Sequence, residues 1–67
     1  MKDTKKMTPY EAVMIAEGVQ PADYEDQVTA WQLLVNTGLA WSLQGWFGRQ
    51  ASYFIEQGII KDPRNSE

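Results

Sequence analysis

The side chains that could do chemistry are few. The chain has no histidine and no cysteine, so the commonest general base, the commonest imidazole metal ligand and every thiolate are absent. What remains is a scatter of carboxylates, three indoles (Trp31, Trp41 and Trp46) and one guanidinium in the middle of the chain, Arg49. A guanidinium forks onto carboxylates, which suits Arg49 to a partner acid or an internal ion pair, and the internal pair is the more ordinary expectation. Asp23, Glu25 and Asp26 stand close together, but without the glycine and closing glutamate of a calcium loop. They suit the first turn of a helix, where the dipole favours negative charge. No paired carboxylates share a helical face and no glycine-rich phosphate loop is present, so an enzyme is the least supported class. No cofactor and no metal ion is expected.

Arg49 sits in the segment Gly45-Trp46-Phe47-Gly48-Arg49. A Gly-x-x-Gly between helices is similar to the nucleotide-clamping loop of KH domains, whose middle residues are small or basic. Trp46 and Phe47 are neither, and the strands that such a domain needs are missing from the pattern. Close helix packing beside aromatic residues is the simpler reading. Trp41, Gly45, Gly48 and Ser52 fall at i, i+4, i+7 and i+11, a strip of small residues headed by an indole. An exposed tryptophan beside such a strip is what an interface anchor looks like. Trp41, Gln44, Trp46 and Arg49 are therefore the candidate protein-binding residues, with Gly45, Gly48 and Ser52 as close-packing positions.

The elements that position these residues are read from a phrase that recurs every twenty residues. Met14–Val19, Leu34–Leu39 and Phe54–Ile59 each read apolar, apolar, two small or polar residues, Gly, apolar. This is a helix stop: glycine takes the left-handed conformation and the apolar residue after it packs back on the residue five before it. The pattern implies three helices, ending at Gly18, Gly38 and Gly58. The resemblance among the phrases does not extend upstream, so a common mode of termination explains them better than an internal repeat.

The first helix starts at Thr8, with Pro9 at N1 and Glu11 at N3. Its expected buried stripe is Tyr10, Val13, Met14 and Ile15. The second starts between Pro21 and Asp23, with Tyr24, Val28, Trp31 and Val35 on one face and Leu34 widening it. The third segment, Leu39 to Gln57, reads as one continuous or kinked helix, or as two if it breaks across Gly45–Gly48, because two interior glycines cost about 1 kcal/mol each against alanine. The expected fold class is all-α, a small bundle of three helices or four. A single domain spans 8–60, between flexible tails at 1–7 and 61–67.

The chain carries six Lys or Arg and nine Asp or Glu, a net charge of −3. Between Thr8 and Ile60 there are six acids and only Arg49 as a base, which leaves that stretch at −5. A nucleic-acid binder carries a basic face on its folded body, so no nucleic-acid partner is expected. No apolar run approaches a membrane span, and the basic N-terminus lacks the apolar stretch of a secretory signal. A cytoplasmic protein is the default. Eight aromatics on about fifty foldable residues are hard to cover, which favours self-association.

The run from Thr37 to Arg49, Thr-Gly-Leu-Ala-Trp-Ser-Leu-Gln-Gly-Trp-Phe-Gly-Arg, resembles a group of small uncharacterised proteins of tailed bacteriophages, over roughly residues 10–60. The resemblance implies a phage accessory protein acting in the bacterial cytoplasm. It supplies no catalytic or ligand residues. The leading expectation is a small acidic, non-enzymatic protein-binding module. The alternative is a nucleic-acid-associated regulator of helix-turn-helix type, suggested by the short turn Asn36-Thr37-Gly38.

Overall fold

The computed structural model describes residues 7–63. The outer parts of the two expected tails, 1–6 and 64–67, lie outside the described residues. The fold is all-α, with α1 at Pro9–Ala16, α2 at Tyr24–Asn36, α3 at Leu39–Ser42 and α4 at Gly45–Glu56. Helix α1 packs against α2, and the short α3 joins α2 to α4.

The helix starts obey local chemistry. The Thr8 hydroxyl accepts the Glu11 N–H at 3.1 Å, and Pro9 stands at the first helical position. At α2 the cap is Asp23, whose Oδ1 accepts the Asp26 N–H at 2.9 Å. Asp23 is thereby a cap rather than a first-turn residue, while Glu25 and Asp26 lie in the first turn.

The three glycines all have positive φ, at 81°, 82° and 77° for Gly18, Gly38 and Gly58. The first and third stops make both Schellman hydrogen bonds, although Val19, expected to pack back on Met14, is 63 % exposed. Val19 N–H reaches Met14 O at 3.0 Å and Gly18 N–H reaches Ile15 O at 3.0 Å. Ile59 N–H reaches Phe54 O at 2.9 Å and Gly58 N–H reaches Ile55 O at 3.0 Å. The second differs. Gly38 N–H still bonds Val35 O at 3.1 Å, but Leu39 N–H turns to the Thr37 hydroxyl at 3.4 Å, and that hydroxyl donates to Leu33 O at 2.9 Å and to Leu34 O at 3.3 Å. That side chain releases Leu39 from folding back, so Leu39 opens α3. The Gly38 carbonyl then accepts both Trp41 N–H and the Ser42 hydroxyl, each at 3.1 Å. Gly38 both ends α2 and caps α3.

A Cβ added at Gly38 would meet no atom within 4 Å, so substitution there tests backbone conformation alone. Gly38→Ala is expected to lower stability by about 1 kcal/mol, the strain of a Cβ in the left-handed region. Thermal melts of the two proteins measure it, and an unchanged or raised midpoint would refute the strain argument.

The segment after Gly38 is two helices, not one, and the break falls at Leu43–Gln44, just before the glycine pair rather than across it. Leu43 has ψ −166° and Gln44 ψ 153°, both extended. The Ser42 hydroxyl bonds back into its own turn, and Gly45 and Gly48 weaken any continuation. The packing gain is specific. With the chain bent at 43–44, the Trp41 ring of α3 lies 3.4 Å from where a Gly48 Cβ would stand on α4.

The core holds Ala12, Ile15, Ala30, Trp31, Leu34, Val35, Ala40, Phe47, Ala51 and Ile60. Trp31 is its hub, with ring centroids 5.5 Å from Phe54, 5.9 Å from Phe47 and 6.3 Å from Trp46. Two residues expected on buried stripes are exposed: Tyr10 at 75 % and Tyr24 at 69 %. Each sits in the first turn of its helix, where the 3.6-residue period continues but no other element covers it. The Gln32 side chain clamps the chain beyond α4 to α2, its Nε2 donating to Lys61 O at 2.7 Å and its Oε1 accepting Lys61 N–H at 2.9 Å. This clamp comes directly after buried Ile60.

Candidate functional site

The bend between α3 and α4 builds an open depression of about 490 Å³, lined by Trp41, Gly45, Gly48, Arg49, Ser52, Tyr53 and Glu56. All four members of the small-residue strip line it, although Trp41 belongs to α3 and the other three to α4. Both glycines have a visible use. Gly48 receives the six-membered ring of Trp41, whose Cε3 and Cζ3 lie 3.4 and 3.7 Å from where its Cβ would stand. Gly45 lies under the guanidinium, with Arg49 Nη1 3.3 Å from where its Cβ would stand. Ser52, exposed, is the third small residue of the lining. Tyr53, 53 % exposed, stands at the rim and was not among the sequence candidates. Its place at i+4 from Arg49 was the available signal.

Arg49 is exposed, and among the described residues it forms no ion pair. The expectation of an internal ion pair is corrected on that point. The guanidinium folds back over Gly45 on its own helix, and its charge remains available to solvent or a partner. Glu56, also exposed, lines the same depression two turns further along α4.

Gln44 and Trp46 do not line this depression. Trp46 is half-buried, stacked on Phe47 with centroids 4.0 Å apart and edge-on to Trp31. Its indole N–H donates to Gln44 Oε1 at 3.2 Å. Gln44 thus satisfies the polar end of a packed aromatic. Of the four sequence candidates, the structure brings Trp41 and Arg49 together and sets Gln44 and Trp46 apart as a pair of their own. Gly45–Gly48 forms the first turn of α4, not a loop, so the likeness to a nucleotide-clamping loop ends there.

A family model described as a domain of unknown function, DUF7417, matches residues 6–65. The chain belongs to this family. No curated protein and no solved structure matches it. Residues 6–65 include every element from α1 to α4 and every residue lining the depression, so fold and candidate site lie inside the DUF7417 domain. No helix among the described residues is long and apolar enough to cross a membrane. No group of three or more acidic residues among them could hold a metal ion. The Asp23 carboxylate is already engaged as a helix cap.

Proposed function

We propose that this DUF7417 domain is a non-enzymatic protein-binding module that docks its partner on the α3–α4 depression. The observation that carries the reading is the composition of that surface. Tryptophan, tyrosine and arginine are the residue types enriched at interface hot spots, and Trp41, Tyr53 and Arg49 surround a floor of Gly45, Gly48 and Ser52. Arg49 brings a charge that no carboxylate of the described chain engages. The resemblance to small phage proteins makes a phage accessory factor in the bacterial cytoplasm the matching context.

The helix-turn-helix alternative has less support. The helix after the Asn36-Thr37-Gly38 turn is four residues long, Leu39–Ser42, and carries no lysine or arginine. A recognition helix must reach base edges along the major groove, which one turn without a cation does poorly. Affinity capture from bacterial lysate tests the reading, with wild type and Arg49→Ala as paired baits. A protein held by wild type and lost with Arg49→Ala is the expected result, with melting temperatures within a few degrees because an exposed arginine contributes about 0–1 kcal/mol. Micromolar or tighter retardation of duplex or single-stranded DNA near physiological salt would overturn it in favour of a nucleic-acid role.

A further inference from the structure

The charges of the depression are arranged so that a second copy of this chain fits them. Arg49 and Glu56 are seven residues apart on α4, hence nearly on the same face but separated by about 10.5 Å along the axis, too far to pair with each other. Both are exposed and both line the depression. Consider two α4 helices packed antiparallel about a two-fold axis at the midpoint of Ser52 and Tyr53. Arg49 then stands opposite Glu56 of the copy, and Glu56 opposite Arg49 of the copy. The same axis sets Tyr53 opposite Ser52 of the copy, a large ring against a small side chain, twice. Both pairings are centred on one midpoint, so a single operator satisfies charge and shape together.

We infer that the domain forms a two-fold symmetric dimer through antiparallel α4 helices, held by reciprocal Arg49–Glu56 ion pairs. This is an isologous interface, in which each contact occurs twice. Ser52 and Glu56 share the Arg49 face at helical spacing, and the small Ser52 beside the axis lets two helices approach to the 8–10 Å of ordinary helix packing. The inference deepens the protein-binding reading and rests on it for the surface, while committing to a second copy as occupant. The net charge of −3 opposes association as the ion pairs favour it, so salt titration alone is ambiguous. Charge reversal is not.

Sedimentation equilibrium from micromolar to millimolar concentration is run on wild type, Arg49→Glu, Glu56→Arg and the double variant. Circular dichroism checks that helix content is kept. Each single reversal sets like charges opposite one another at two symmetric positions and is expected to weaken dimerisation at least about tenfold. The double variant restores opposite charges and is expected to recover association to within a few-fold of wild type. A wild type that stays monomeric throughout, or a dimer indifferent to the single reversals, overturns the inference. In either case Arg49-dependent capture of another protein would leave the protein-binding reading standing, so the two ideas fail separately.

Discussion

Trp31→Ala is expected to unfold the domain or leave it without a cooperative melt. The indole is 5 % exposed and touches three other rings, Trp46, Phe47 and Phe54, all from α4. It is the main side-chain tie between α2 and α4. Removing a buried Trp or Phe costs about 3–5 kcal/mol, from lost transfer energy and the cavity left behind. A domain of about sixty residues has a total stability of roughly 3–9 kcal/mol, so the loss is a large share of the whole. Trp46→Ala should cost less, because Trp46 is half-buried and stacks mainly on its neighbour Phe47. Thermal denaturation monitored by circular dichroism gives both values. A Trp31→Ala protein that melts cooperatively within a few degrees of wild type would show that Trp31 is not the hub.

The same aromatic cluster shows what the sequence made legible. Val28, Trp31 and Val35 obey the helical period and are buried to differing depths, with Trp31 under the rings of α4. Tyr24 obeys the same period and is 69 % exposed. Periodicity reports which side of a helix a residue is on, not how far along the helix the cover extends. The glycine stops were legible because a left-handed residue is a local requirement, and all three glycines have positive φ. The course of the chain beyond each stop was less legible. After Gly18 and Gly58 the chain folds back, whereas after Gly38 the Leu39 N–H bonds the Thr37 hydroxyl instead of the Leu34 carbonyl.

The candidate site was half legible for a related reason. The Trp41-Gly45-Gly48-Ser52 strip was read off one imagined helix, and its members do line one depression. They come together because the chain bends at Leu43–Gln44, not because a straight helix aligns them. Trp41 consequently rests on Gly48 rather than standing free. The bend also separates Gln44 and Trp46 from the depression, which residue spacing alone could not reveal. The Gln32–Lys61 clamp left no trace in the sequence, since it joins a side chain to a backbone 29 residues away. Only tertiary packing brings those groups together.

Each helix contributes one alanine with essentially no exposed surface: Ala12 in α1, Ala30 in α2, Ala40 in α3 and Ala51 in α4, at 0 %, 0 %, 1 % and 0 %. Four such positions in so small a core mean that the helices approach one another through methyl groups. The bulk of the core is left to Ile15, Trp31, Leu34, Val35, Phe47 and Ile60. Ala30→Leu forces three more carbons into a site with no exposed surface, beside Trp31. The neighbours must leave their rotamers or α2 must shift, and such overpacking costs typically about 1–3 kcal/mol. The expected result is a melt lowered by many degrees, because 1 kcal/mol moves the midpoint of a 60–100-residue domain by about 4–8 °C. Thr29→Leu is the control one residue earlier. Thr29 is exposed, and substitution at such a position stays within about 0.5 kcal/mol. If Ala30→Leu melts with Thr29→Leu rather than far below it, the site has room that the packing argument denies, and the close approach of the helices through alanine would have to be given up.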